Sequence, residues 1–332
     1  LIQRFIIGVY LLVYKYYSIV RNALILRKVL IKEKPNIIHI NNGGYPAATS
    51  CYSAVIAARM VNIHSIIYVV NNMAVGYSHP LRWFDYLLDR FICRSVSTFI
   101  TGSDNAGRRL KTVLKLSDSK VITIRNGISQ RKVLTSKEVF KRNNGIDEGK
   151  IVFTTVANME ERKGHIFLLQ AIKKLKEDDK IKNSVFVLEG EGPLKMFVMD
   201  YIKTNNLCDC VKYINTLSIY DLYNITDVLI LPSIRDEDFP NTIIEAMGMG
   251  IPSIGTEIAG IPEQINDHQN GLLIKPMNVE ALYNAILEMI ENKELRSECA
   301  KAAKVDFDNK YTSSISVSNY VKLYNKMTDH YG

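Results

Sequence analysis

The sequence offers little from which a metal or redox centre could be built. Its five cysteines, an odd number, stand apart at Cys51, Cys93, Cys208, Cys210 and Cys299 with no CxxC spacing, and its six histidines form no cluster. The usual zinc and dithiol patterns are therefore excluded, and a reduced, cytoplasmic protein is expected. Nor is there an apolar run near the start long enough to span a bilayer: the uncharged stretch 5–14 is ten residues, against roughly 20 for a spanning helix. Helix-turn-helix, zinc-finger and RNA-binding patterns are missing, as are short-period repeats and low-complexity tracts, so no nucleic-acid partner is expected.

What is present is a chain of 332 residues, 47% hydrophobic, with a mean hydropathy near zero. That is enough for two ordinary globular domains. The charge is divided unevenly. Of the 42 Lys and Arg, 22 fall in residues 1–145, against 6 of the 34 Asp and Glu, a balance of +16 there and −8 in the remainder. A half that basic suits phospholipid headgroups, nucleic acid or lipid-linked phosphates, or it is simply a solvated surface. The absence of a nucleic-acid pattern leaves the lipid, phosphate and solvated-surface readings.

The stretch 5–14 is similar to the apolar part of a signal peptide, but no small-residue cleavage site follows it. Apolar residues continue at helical spacing through Ile19, Val20, Leu24, Leu26 and Leu30, which predicts an amphipathic or core helix. Tyr10, Tyr14, Tyr16 and Tyr17 beside Lys15 and Arg21 suit a membrane interface, and burial against a sheet explains them equally well. Arg4, Lys15, Arg21, Arg27 and Lys28 are the first candidates for headgroup contact. The chain begins with Leu rather than Met and is read as a fragment.

Short β-rich runs alternate with helical segments at 36–41, 65–70, 97–102 and 120–124, and again at 151–157, 184–190, 211–214, 228–233, 251–256 and 271–274. Continuous apolar strands separated by helices predict parallel sheets covered on both faces, hence two doubly wound α/β domains. The polar, basic stretch 129–150, with its NNG and DEG turn signals, marks the boundary. Ligands in such sheets bind beyond the carboxyl ends of strands, so a cleft between the domains is the default site. His39, inside an apolar strand, is expected to be a satisfied core residue.

The chemistry concentrates in DEDFPNTIIE, residues 236–245. A helix starting near Asn241 or Thr242 and ending by 248–250 turns its free N–H groups and positive dipole end toward whatever the preceding loop holds. Glu245, one turn in, can accept two hydrogen bonds from a vicinal diol such as ribose. Asp236-Glu237-Asp238 also contains a D-x-D pattern, which without supporting context is a weak metal signal.

The frame E-x-F-P-x-x-x-x-E-A-M-x-x-G-x-P from Glu237 to Pro252, with GIPEQIN and NGLLI downstream and VANMEERKGH upstream, resembles the retaining glycosyltransferases of family 4. The resemblance covers about 151–327 and is weaker over 36–128. It implies the GT-B fold, with Glu245 on the ribose of a nucleotide, Glu237 at hydroxyls of the donor sugar, and Lys163 neutralising the diphosphate. Phe239, Pro240, Asn241 and Thr242 would line sugar and diphosphate with their backbone. Three departures stand out. Ala157-Asn158 replaces the family's Gly-Arg, Asn71-Asn72 replaces an active-site His, and the usual first strand with its Gly-Gly loop is lacking. Gly43-Gly44 is either a close-approach loop of its own or an ordinary strand-end turn.

The expectation is therefore a retaining hexosyltransferase that carries a sugar from a UDP-sugar to a saccharide or lipid-linked acceptor. Its setting would be capsule or lipopolysaccharide synthesis, in the cytoplasm or peripherally on the inner face of the cell membrane. Residues 1–135 form an acceptor-side Rossmann-like domain incomplete at its start, 136–310 the nucleotide-sugar domain, and 311–332 a helix returning to the first domain. Glu237, Lys163 and Asn71 are the catalytic candidates. Glu245, Asn158, Lys163, Phe239, Pro240, Asn241, Thr242, Gly43 and Gly44 are the binding candidates. No metal or other cofactor is expected. The alternatives are a non-catalytic nucleotide-sugar-binding protein or inactive subunit, and, less favoured by the Glu-to-Glu frame, a GT-B epimerase.

Overall fold

The computed structural model describes residues 2–46, 48–78, 80–181 and 183–328, without the side chains of 2–7, 9 and 80. The chain forms two compact units, Leu1–Arg125 with Val317–Gly332, and Asn126–Ser316. Among the described residues no helix is long and apolar enough to cross a membrane.

In the first unit, α1 (Ile2–Glu33) precedes β1 (Ile38–Asn42), α2 (Thr49–Met60), β2 (Ile66–Val70), α3 (Tyr86–Ser95), β3 (Thr98–Thr101), α4 (Asp104–Leu114) and β4 (Val121–Thr123). The strands are parallel and pair in chain order, β1-β2-β3-β4. Right-handed crossovers that always step the same way stack their helices on one face. There Ile66, Tyr68, Val70 and Phe99 pack against Tyr52 and Val55 of α2, Ile92 of α3, Leu110 of α4 and Ile19 of α1. The other face, with Ile67, Val69 and Ile100, meets Tyr320, Leu323, Tyr324 and Met327 of the chain's last helix.

His39 departs from its expected place in the core. It lies on the exposed face of the edge strand β1, with Nδ1 2.5 Å from Tyr324 Oη and its ring stacked on Tyr320 at 5.4 Å. An edge strand has only one neighbour, and the contacts to His39 among the described residues come from Tyr320 and Tyr324 of the last helix.

The second unit runs α5 (Lys137–Asn143), β5 (Ile151–Val156), α6 (His165–Glu177), β6 (Ser184–Glu189), α7 (Lys195–Thr204), β7 (Val211–Tyr213), α8 (Ile219–Ile225), β8 (Val228–Leu231), α9 (Asn241–Gly248), β9 (Ser253–Thr256), β10 (Gly271–Ile274), α10 (Val279–Glu291) and α11 (Lys293–Lys310), with α12 (Ser313–Thr328) closing the chain. Its parallel sheet has the order β10-β9-β8-β5-β6-β7. The chain winds outward from β5 in one direction and then returns to build β8 on the other side, pairing Phe153 with Val228. Where the winding reverses, between β5 and β8, the loops at the carboxyl ends part and leave a crevice, the default ligand position of a doubly wound sheet.

The boundary between the units differs from the expected 135/136. Residues 126–135 bond into the second unit: Ile128 N donates to Tyr311 O at 3.0 Å and Leu134 N to Asp221 Oδ1 at 2.6 Å. The segment that returns to the first unit begins at Val317 rather than at residue 311, because Ser313 N donates to Ile128 O at 3.0 Å and holds the start of α12 to the second unit.

Candidate active site

The loops at the switch point are locked by glycine. After β5 the chain passes through a tight turn, Glu161–Lys163, to Gly164 at φ 71. A Cβ there would sit 2.0 Å from Pro232 O, in the loop after β8, so only glycine lets the two loops touch. Ile234 N completes the contact by donating to Arg162 O at 2.8 Å. The loop after β6 is drawn in by Gly190 (φ 132), whose Cβ would lie 2.1 Å from Ala157 O.

This clasp places side chains of opposite charge together. Glu237, 6% exposed, accepts at Oε1 from Lys163 Nζ and from Ser233 Oγ at 2.8 Å, and Arg162 Nη1 stands 3.6 Å from the same oxygen. A buried carboxylate needs such partners, since leaving it unpaired would cost several kcal/mol. Arg162 is held in turn by Glu160 Oε2 at 2.7 Å and by Asp236 O at 3.2 Å. Of the neighbours of Glu237, Asp236 is exposed and its side chain lies 3.5 Å from Arg235 Nε, and Asp238 is buried.

Helix α9 begins at Asn241 behind Pro240, which supplies no capping side chain, and its first turn holds no acidic residue. A helix start without acidic side chains in its first turn offers its dipole end to an anion. Phe239 anchors this start edge-on to Tyr311 at 5.7 Å, and Pro240 O accepts from Gln264 Nε2 at 3.1 Å. Asn241 Oδ1 accepts from Asn126 Nδ2 at 3.0 Å, while Thr242 is half-buried.

Glu245, one turn further, accepts at Oε2 from the buried Tyr223 of α8 at 2.9 Å. Among the described residues no second side-chain donor reaches its carboxylate. Burial raises its pKa, and the Tyr223 bond and the charge of Arg131 oppose that rise. Asn158, exposed after β5, accepts from Glu160 N at 2.8 Å through its carbonyl. Next to the cations, His165 at the start of α6 is buried, and burial together with Lys163 depresses its pKa to about 4. Among the described residues neither of its ring nitrogens has a hydrogen-bond partner.

The remaining candidates belong to the first unit. Asn71, just past β2, donates from Nδ2 to Asn41 Oδ1 at 2.6 Å and to Asn42 O at 2.9 Å. Gly43 and Gly44 follow β1 without positive φ. A Cβ at Gly43 meets nothing within 4 Å, and one at Gly44 meets only Asn72 Cβ at 3.5 Å.

Two residues of the candidate site were not foreseen. Arg162 carries a second cation to Glu237, signalled only by the adjacent Arg-Lys pair. Tyr223 orients Glu245, and its signal is the tyrosine pair Tyr220 and Tyr223 at a spacing that shares one helix face.

Comparison with known proteins adds a family frame to this geometry. Residues 136–306 match the family described as Glycosyl transferases group 1, and residues 1–132 match Glycosyltransferase Family 4. The chain is 25% identical over 286 residues to a UDP-Gal:alpha-D-GlcNAc-diphosphoundecaprenol alpha-1,3-galactosyltransferase of Escherichia coli, covering 83% of this chain and 71% of that protein. It is 22% identical over 322 residues to the capsular polysaccharide biosynthesis glycosyltransferase CapM of Staphylococcus aureus, covering 91% and 80%. Three further curated relatives are spanned over only 48%, 59% and 55% of their own lengths. Among solved structures, Anabaena HepE in complex with UDP superposes with a TM-score of 0.77 at 16% identity, covering 91% of this chain and 82% of that one.

Proposed function

Because the chain belongs to the glycosyl transferases of group 1 and has the GT-B fold, we propose that it moves a sugar from a UDP-sugar to a lipid-linked saccharide in cell-surface polysaccharide synthesis, with retention at the anomeric carbon. The observation that carries this reading is the pairing of Lys163 and Arg162 with Glu237 beside the uncapped start of α9. An entering diphosphate takes over the two cations and the α9 amides, and Glu237, released from them, accepts hydroxyls of the donor sugar. Glu245, oriented by Tyr223, accepts the ribose hydroxyls.

In the transfer the bond from the anomeric carbon to the diphosphate oxygen breaks, and a bond to the acceptor oxygen forms on the same face. The acceptor's proton passes to the departing diphosphate, whose growing charge Lys163, Arg162 and the helix end stabilise. No protein nucleophile is assigned: Glu237, once released by the cations, keeps Ser233 and is read as binding sugar hydroxyls. The same cations supply the charge a divalent metal would otherwise bring, so the reaction is read as metal-independent. The names of the E. coli and S. aureus relatives support the lipid-linked, capsule-type acceptor. Such acceptors place the work at the cytoplasmic face of the membrane, where the basic first unit meets anionic headgroups.

A second reading, nucleotide-sugar binding without turnover, is favoured by uncharged Asn158 and Asn71. Assaying a panel of nucleotide sugars against a diphosphate-lipid saccharide separates the two. An α-linked product from an α-linked donor, seen by NMR of its anomeric proton, is the expected result. Inversion would refute the stereochemical assignment, and binding without turnover would favour the second reading.

A further inference from the structure

The segment just after the first unit's second strand carries an unusual surface. Leu81, Trp83, Phe84, Tyr86, Leu87 and Phe91 are all exposed, with Trp83 at 63%, Phe84 at 62% and Leu87 at 80%. Single exposed apolar residues are ordinary on soluble domains, but six within eleven positions form a patch.

The charges of this segment are sorted by sign. Both of its carboxylates are buried. Asp85 takes Lys15 Nζ at 2.6 Å, Tyr16 Oη at 2.8 Å and Arg82 Nη1 at 3.1 Å. Asp89 takes Arg82 Nη2 at 2.6 Å, Tyr45 Oη at 2.8 Å and Tyr77 Oη at 2.5 Å. With the acids turned inward, the charges left toward the surface of 81–94 are the exposed Arg94 and the half-buried Arg90, whose Nη1 donates to Leu114 O at 3.0 Å.

The buried network also fastens α1 to this patch, since Lys15 and Tyr16 reach Asp85. Lys15 is thereby taken from the expected headgroup contacts, and the side chain of Arg4 lies outside the described residues. Helix α1 continues the surface with exposed Tyr10, Leu11, Tyr14 and Tyr17, and its six Lys and Arg are met by one acid, Glu33 at its end. Leu11 and Leu12 of α1 share a hollow of about 340 Å³ with Val75 and Leu81, so the two apolar surfaces are continuous.

We infer that this face docks on an anionic lipid bilayer, with Trp83, Phe84 and Leu87 entering the acyl boundary and Arg21, Lys28, Arg90 and Arg94 meeting headgroups. Apolar and aromatic side chains interleaved with cations, and the local carboxylates withdrawn into a buried network, are the charge complement of such a surface. The inference deepens the reading of a lipid-linked acceptor, and its test uses neither donor nor acceptor, so the two can fail separately.

Trp83 is the only tryptophan in the chain and serves as the probe. The full chain is titrated with vesicles of phosphatidylcholine and phosphatidylglycerol at about 7:3 and with pure phosphatidylcholine. The expected result is a blue shift of Trp83 emission and its protection from an aqueous quencher with the anionic vesicles only. Leu87→Asp and Phe84→Asp should each lower the bound fraction about tenfold while keeping the melting temperature, since both side chains are exposed. Arg21→Glu with Lys28→Glu should weaken binding at low salt and flatten its salt dependence. Emission unmoved by vesicles, or binding unchanged in Leu87→Asp, would overturn the inference. So would a lipid-free dimer that Leu87→Asp dissociates, which would assign the face to a second copy of the chain.

Discussion

Tyr223 donates its hydroxyl proton to Glu245 Oε2 across 2.9 Å, tying α8 to α9 and fixing the carboxylate one turn inside the helix. In the proposed site this held carboxylate is the acceptor for the ribose diol. Glu245→Ala should weaken UDP binding about tenfold or more, since hydrogen bonds to a charged acceptor contribute roughly 1.5 to 3 kcal/mol each. Tyr223→Phe, which keeps the carboxylate but frees its orientation, should cost only a few-fold. Calorimetry on both variants, with circular dichroism to confirm folding, measures the difference. Unchanged affinity in a folded Glu245→Ala would remove the residue from the site.

Acid should affect binding through the same group. Burial holds the Glu245 carboxyl above its ordinary range, and the ionised form is the one that accepts from both ribose hydroxyls. UDP affinity should therefore fall as pH drops through that raised pKa, at a higher pH than an ordinary glutamate at about 4.3 would allow. The stability effect has the opposite sign. The native state binds this proton more tightly than the unfolded one, so this group adds stability as pH falls. Glu245→Gln should give weaker binding whose pH profile is flatter in that window.

Lys163→Ala separates catalysis from folding. It leaves Glu237 buried with Ser233 and a more distant guanidinium, which should lower stability by about 3 kcal/mol, and it removes a cation from the leaving diphosphate, which should reduce kcat/KM about a hundredfold or more. Adding Glu237→Gln to it should restore the melting temperature, while the rate stays below that of Glu237→Gln alone, the difference being the part Lys163 contributes. A double variant as active as Glu237→Gln alone would show that Lys163 serves only the fold.

Excess EDTA should leave both UDP binding and transfer intact, because Lys163, Arg162 and the α9 amides supply the positive charge. Loss of activity with EDTA and rescue by manganese or magnesium would restore the metal reading of Asp236-Glu237-Asp238.

His165 should make the fold acid-sensitive. Its folded pKa is depressed to about 4, so between that value and the unfolded pKa near 6.5 only the unfolded chain takes up the proton, and stability is lost as pH falls. The loss from pH 7 to pH 5 is about 2 kcal/mol. His165→Phe should reduce that part of the pH dependence in thermal melts, and an unchanged slope would place the acid sensitivity elsewhere.

Local pattern carried much of the architecture. All ten strands of the described residues fall on the apolar runs read from the sequence, and α9 starts at Asn241 as expected, because Pro240 ends the extended loop and cannot donate into the helix. What the pattern did not carry were contacts between distant positions. Arg162 and Glu237 lie in different loops that only the switch point joins, and Tyr223 meets Glu245 across two helices. His39 reads as core in its own strand, yet its exposure is decided by where β1 sits in the sheet. The unit boundary moved to Arg125 for the same reason, through hydrogen bonds from Ile128 and Leu134 to segments far along the chain.

The two strand orders give the two units different assembly kinetics. In the first sheet each strand pairs with the next one made, so every addition closes only the loop of a single crossover, and the sheet can grow in the order of synthesis. In the second, β5 cannot be covered on its inner side until β8 exists, and Phe153 waits about 75 positions for Val228. Closing that loop costs more chain entropy than closing a single crossover, and the Arg162–Lys163 turn meets Glu237 only when β5 and β8 have paired, so capacity for the nucleotide should appear with that pairing rather than before it.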